Sequence, residues 1–493
     1  MCHLLFDITD SVSSITKLPV EILLDIFHHV ADSEFGSHSL VACSHVCRQW
    51  RAITTTSPLL WARAINLADD SEEWVAMMIQ CSVPHLLDIS WDYTFNCSEI
   101  ILGSIVYQWD VSAVANNICQ AFSEPQRVRS INLRLPLGCM MEMVACIPTF
   151  MLNLRTLVLA GYSSFDGLAG SITPVLELRA PALHHLRIEN FGISWLLFHP
   201  EGFCNLRKLT LCYLPADSRL SLHNLTVFLA HMPLLQVLVI CQALQQSVSP
   251  CSTSRISFSY LHTVILEATA AHTVFLLESL ATPCLRLLEV HSGDMSAQAS
   301  TAELNHLLST VGACARSTAY RTVEIHYDTM SIQVFGFPEV VGCDDAPSEP
   351  HVVHFSLEWS GTVPWDAVHM AGSIPELLHH LCLPHVQSLC FIFSTDDHDK
   401  IPNSTWTEIL LMYRAVQHLS IYGTLSTGLL DALLRHPTHS LEPTPLHCDC
   451  HALLPCLCSV VLTVNANFMT SLNHYAVALS DIYPAVQIVL DHY

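Results

Sequence analysis

Six potential metal ligands crowd one short stretch of this chain: His447, Cys448, Cys450, His451, Cys456 and Cys458, in the run HCDCHALLPCLC. A Cys-x-Cys pair brings two thiolates close together, a first requirement of a zinc site. The Cys-x-x-Cys half of a zinc-finger pattern is absent, however, and Cys456 and Cys458 fall on a predicted strand. The reading preferred here is buried thiols beside a loop, with no metal and no cofactor. Other reactive constellations are also missing. The sequence has no Gly-x-Ser-x-Gly elbow, no glycine-rich phosphate loop and no His-Glu-x-x-His helix. Its 30 histidines are dispersed, and a lone histidine on a mixed surface is usually solvated or hydrogen-bonded. The expectation is a protein that is not an enzyme; a metal-dependent enzyme built on the His447 to Cys458 cluster is the lesser alternative.

Charge narrows the choice of partner. Lys and Arg number 20 against 44 Asp and Glu, a net charge of −24 with no basic run to offset it, so nucleic acid and anionic membrane are poor partners. Only 13% of residues are charged and 51% are hydrophobic, which demands extensive burial. The stretch Leu220 to Ser254 has no Asp, Glu, Lys or Arg, but Pro233 splits it into a helical half (Leu222, Leu225, Leu229, Met232) and a strand-like half, Leu235 to Ile240. It reads as core and not as a membrane span. The opening residues MCHLLFDITDSV lack a basic start and carry Asp7 and Asp10, so export is not implied. The 21 cysteines are spread along the whole length, which suits free thiols in the cytoplasm or nucleus.

Two kinds of element organise the chain. From Leu18 the sequence LPVEILLDIFHHV starts a helix: Pro19 suits the first turn, and Glu21 lies near the positive end of the helix dipole. Ile22, Leu23, Ile26, Phe27 and Val30 make a broad apolar face. A second helical stretch, HSLVACSHV, leads into a third, where Val46, Trp50 and Ile53 share a face; Ser57-Pro58 then breaks the helix before Leu59, Leu60 and Trp61. A unit this small cannot bury so much apolar surface within itself, so a partner or the next domain must cover part of it.

These residues resemble the F-box family, including the large F-box families of fungi. The resemblance rests on three blocks in order: Leu18, Pro19, Glu21, Ile22, Leu23, Ile26 and Phe27; Val46, Cys47, Arg48, Trp50, Arg51 and Ile53; and Pro58, Leu60 and Trp61. The resemblance implies a small three-helix module over residues 16–65, after an N-terminal tail of 1–15. It also implies docking on the Skp-type adaptor, and through it a cullin, of an SCF-type ubiquitin ligase. The residues that would make that contact are Leu18, Pro19, Glu21, Ile22, Leu23, Ile26, Val46, Cys47, Leu60 and Trp61. Phe27, Trp50 and Ile53 are assigned to the core of the module.

Beyond it a motif of the form apolar-x-x-apolar-x-apolar recurs. Clear copies start at Leu154, Leu183, Leu206, Leu235, Leu261 and Leu285, at intervals of 29, 23, 29, 26 and 24 residues. Less regular copies start at Pro84, Val128, Tyr320, Val352, Val386, Val416, Leu457 and Ala485. Pro181, Pro233, Pro283, Pro350, Pro384 and Pro455 each stand two residues before a start. Helix-period runs such as Leu304, Leu307, Leu308 and Val311 fall between the copies. A repeat of this length is the signature of a leucine-rich-repeat solenoid. The predicted fold is therefore α/β: the helical module, a connecting segment with the first irregular repeats over 66–127, and an irregular leucine-rich-repeat-like solenoid with a parallel sheet over 128–493. Ordinary α/β domains are the alternative.

In such a sheet the motif positions point inward and the residues two, four and six after each start face the other way. These positions give a polar strip for a protein substrate: His185, Arg187, Glu189, Lys208, Thr210, Glu267, Glu289, His291, Glu324 and His326, with His354 and Glu358 beyond them. The expected function is a substrate receptor for a ubiquitin ligase. The alternative is an F-box interaction protein with no degradation target.

Overall fold

The computed structural model describes residues 18–33, 36–67, 70–92, 111–162, 178–192, 200–245, 255–292, 301–315, 322–327, 331–337, 353–358, 385–393, 403–423, 427–434, 454–464 and 469–492. The predicted tail of 1–15 lies outside this set. The chain divides into two compact units, Met1–Leu209 with Tyr213–Ser218, and Thr210–Cys212 with Arg219–Tyr493.

The first unit opens with helices α1 (Val20–Ala31), α2 (Gly36–Val46), α3 (Arg48–Thr56) and α4 (Pro58–Ala64). The predicted second and third helices are separate segments because the Cys47 thiol accepts a 3.5 Å hydrogen bond from the Trp50 N–H, capping α3 at its start. With α4 the module has four helices, where three were expected. Leu23, Phe27, Leu40, Ile53 and Leu60 form its core, and Phe27 packs edge-on against Trp50 with ring centroids 5.0 Å apart. Gly36 allows the tight entry to α2, since a Cβ there would stand 2.1 Å from the Ala31 carbonyl oxygen.

Helix α5 (Glu72–Cys81) joins this core, with Trp74 edge-on to Trp61 at 6.4 Å. Then come β1 (Leu87–Asp92), α6 (Val111–Phe122), β2 (Val128–Pro136), α7 (Leu137–Cys146), β3 (Thr156–Tyr162), β4 (His185–Glu189) and β5 (Lys208–Cys212), whose last residues belong to the second unit. β1 to β4 pair in parallel and in chain order.

The second unit contains α8 (Leu222–Leu229), β6 (Val237–Cys241), β7 (Ile256–Ser257), β8 (Thr263–Glu267), α9 (Ala270–Ser279), β9 (Leu280–Ala281), β10 (Leu287–Ser292) and α10 (Thr301–Ala315). There follow β11 (Thr322–Tyr327), β12 (Ser331–Phe337), β13 (Val353–Glu358), β14 (Ser388–Phe393), α11 (Asn403–Met412), β15 (His418–Gly423), α12 (Thr427–Leu434), β16 (Ser459–Val464), α13 (Met469–Ile482) and β17 (Gln487–His492). The strand order from β6 is β6-β8-β10-β13-β12-β11-β14-β15-β16-β17, while β7 and β9 form a separate short pair. All neighbours are parallel except around β12, which runs antiparallel to both β11 and β13. This meander sets β13 beside β10 and β11 beside β14, reversing chain order locally.

Every motif copy read from the sequence coincides with one of these parallel strands, from β1 after Pro84 to β17 after Ala485. The inward positions are sealed: Leu157, Leu186, Leu209, Leu238, Leu266 and Leu288 are all 0% exposed. A repeated turn explains the proline phase. The N–H groups of Leu183, Leu235, Leu285 and Leu457 donate to the carbonyls of Ala180, Met232, Thr282 and Leu454, three residues back, at 3.0 to 3.2 Å. Pro181, Pro233, Pro283 and Pro455 occupy the second position of these turns, where a fixed φ is already the required one. Asparagine adds a link between repeats: Asn153 and Asn205 each stand just before a motif start. Their side-chain amides donate to the Gln126 carbonyl at 2.6 Å and the Pro181 carbonyl at 2.8 Å.

No helix among the described residues is long and apolar enough to cross a membrane. The uncharged stretch after Leu220 is α8, a turn at Pro233 and β6.

Candidate functional site

Helix α1 divides its apolar residues between two destinations. Leu23, Phe27 and Ala31, at successive i, i+4 spacings, are buried. Val20 and Ile22, each 46% exposed, and Ile26, 37% exposed, face outward. Pro19 and Glu21 are exposed and Leu18 is half-buried. At the end of α2, Val46 is 60% exposed and Cys47 half-buried. Leu59, at the start of α4, is 39% exposed. This small module thus leaves several large aliphatic side chains uncovered, an arrangement that suits a protein contact.

Three of the residues named for that contact are buried within the module. Leu23 and Leu60 are 0% exposed and Trp61 is 7% exposed. Trp61 Nε1–H donates to the Thr54 carbonyl at 2.9 Å, satisfying the indole inside the chain. The exposed Val20 and Leu59 are not among the residues named for that contact: Val20 stands at the unspecified position between Pro19 and Glu21, and Leu59 next to the patterned Leu60. Arg63 pairs with Asp32 and ties α4 to the end of α1. His28, on α1, is held below its usual pKa by burial and by the Arg63 charge.

The sheet positions form a second set, distributed over both units. In the first, His185, Arg187, Glu189 and Lys208 are half-buried on the face opposite the core. The Arg187 Nε–H donates to Glu189 at 3.0 Å. Burial, with the Lys208 and Arg187 charges, pushes the His185 pKa down to about 4. In the second unit the Glu267 carboxylate accepts from the Gln242 amide at 2.5 Å, and His291 Nε2 lies 2.6 Å from Glu289 Oε1. His291 sits opposite Glu267 in the β8–β10 register, so these three side chains share one region. Thr210 differs from expectation: it is only 4% exposed. His326 lies on β11 with its ring 4.7 Å from that of Phe335. β12 and β13 separate it from β10. Glu324 is also on β11, but its side chain lies outside the described residues, as do those of His354 and Glu358 on β13.

Of the cysteine-histidine cluster, His447, Cys448, Cys450 and His451 lie outside the described residues. Cys456 and Cys458 are exposed and stand in the turn before β16, not within a strand as expected, and not buried. Among the described residues no group of three or more His, Cys, Asp or Glu is placed to hold a metal ion.

Comparison with known families agrees with the geometry of the first module. A family model described as F-box-like matches residues 15–66, the span of α1 to α4. No curated protein matches the chain. The chain therefore carries an F-box-like domain at residues 15–66, a type of domain that generally binds Skp-type adaptors, joined to a mixed α/β body with a largely parallel sheet.

Proposed function

We propose that this protein is the substrate-receptor subunit of an SCF-type ubiquitin ligase. The observation that carries the reading is the outward aliphatic set of α1, Val20, Ile22 and Ile26, within the F-box-like match. Covering such side chains with an adaptor is favourable by roughly 25 cal/mol per Å² of apolar surface removed from water. The body, read as a leucine-rich-repeat-like solenoid, holds a protein substrate on its open sheet face. The receptor contributes no catalytic residue: tethering substrate and ligase raises their effective concentration, and ubiquitin transfer is carried out by other subunits. The reading places the protein in the cytoplasm or nucleus, where free thiols persist.

The test is co-purification with a Skp-type adaptor. Wild-type chain should recover the adaptor and, through it, a cullin. Ile22→Asp with Ile26→Asp should lose both while keeping the thermal midpoint of the wild type. A double variant that still recovers the adaptor in full would sink the proposal.

A further inference from the structure

We infer that the open sheet face over β6, β8 and β10 recognises a basic segment of a partner protein that also carries aliphatic side chains. This deepens the receptor reading and rests on it, since it names the class of substrate that the face would accept.

One side of these strands is closed: Leu238, Ile240, Leu266 and Val290 are 0% exposed. The alternate residues Val237, Val239, Ile265 and Leu287 are half-buried and form an aliphatic shelf across neighbouring strands. Two carboxylates border it. Glu289 lies beside Ile265 in register, and Glu267 lies beside Cys241 on one side and His291 on the other. The sequences of the three strands, VLVIC, TVILE and LLEVHS, contain no Lys or Arg, and the contacts that the carboxylates make within the chain include His291 at Glu289 and the Gln242 amide at Glu267.

Adjacent strands are about 4.8 Å apart. A partner side chain resting on Val239 and Ile265 therefore leaves a lysine or arginine of the same segment within one or two strand spacings of Glu289 and Glu267. Complementarity also selects among occupants. An acidic partner would meet these carboxylates and the net charge of −24 of the whole chain. A second copy of this chain, docking through the same face, would bring the same carboxylates against themselves. A cationic, aliphatic segment meets neither obstacle.

The experiment uses full-length chain bound to its adaptor and a position-scanning library of synthetic peptides. The wild type should enrich peptides with Leu, Ile or Val close to Lys or Arg. An enriched peptide, followed by fluorescence anisotropy, should bind about tenfold or more weakly to Glu267→Lys with Glu289→Lys, and should weaken as salt is raised. Val239→Asp should weaken it independently. Retained adaptor binding and an unchanged thermal midpoint show that each variant is folded. No enrichment, enrichment of acidic peptides, affinity unchanged in the variants, or dimerisation through this face that the charge reversals abolish would each overturn the inference. Failure of the peptide arm with the adaptor still bound removes this inference alone. Failure to bind the adaptor removes the receptor reading whatever the peptides do.

Discussion

Ile22 and Leu23 are neighbours of nearly equal size, yet one is 46% exposed and the other 0%. Truncation should separate them in a denaturation experiment. Leu23→Ala removes methyl groups from the module's core and should cost about 2–5 kcal/mol in urea unfolding, whereas Ile22→Ala should stay within about 0.5 kcal/mol of wild type. Equal losses would mean that α1 is seated differently. His185 makes a prediction of the opposite chemical kind. Its folded pKa of about 4 lies below its usual 6.5, because burial and then the nearby cations disfavour the imidazolium. Below pH 6.5 the unfolded chain binds a proton that the folded chain refuses, so the folded state loses stability as pH falls from 6.5 towards 4. The ring is half-exposed, and solvent screening reduces the effect to about 1 kcal/mol. His185→Gln has no proton to gain there, and its thermal midpoint should fall less than that of wild type over the same pH window. Parallel curves for the two proteins would refute the assignment.

At the scale of elements, Arg127 ties helix to sheet in the first unit. It is 7% exposed, and its guanidinium donates to the carbonyls of His85 and Ile79, each at 3.0 Å, to Ser82 Oγ at 2.6 Å and to Glu124 at 2.7 Å. These bonds hold the end of α5 against the entry to β2. Arg127→Met keeps much of the volume but strips the donors from buried acceptors, at a cost of about 3 kcal/mol. A urea midpoint close to that of wild type would show that the acceptors find other partners. The strands themselves were legible in the sequence because the spaced apolar motif recurs in each copy from Leu87 to Leu490; burial alternates along β4 and β8, while β3 and β5 are buried on both faces. β12 was not legible: SIQVFGF lacks the spaced motif, and its place is fixed by antiparallel partners on both sides. Nor could the sequence fully divide the faces of α1: Phe27 is assigned to the core, but Leu23, which is buried, is grouped with the exposed Ile22 and Ile26. The apolar residues of α1 span more than one helical stripe, and only packing against α2 to α4 decides which of them remain outside.

At the scale of the whole molecule, strand pairing is almost entirely between successive motif copies, so damage should stay local. Leu157 on β3 and Leu419 on β15 are both 0% exposed and belong to different units. Replacing either with Ala costs about 2–5 kcal/mol in its own neighbourhood. Hydrogen exchange should then quicken in β2 to β4 for Leu157→Ala and in β14 to β16 for Leu419→Ala, each leaving the other region protected. The meander supplies the exception that makes this test specific. Val334 on β12 is 2% exposed and lies opposite Ile325 on one side and Phe355 on the other. Val334→Ala should release β11 and β13 together, and their parallel partners β14 and β10 should follow, although those two strands lie far apart in the chain. If only the strands next to β12 in sequence lost protection, or if all three substitutions loosened the molecule uniformly, the reversed strand order could not be the path by which stability is shared.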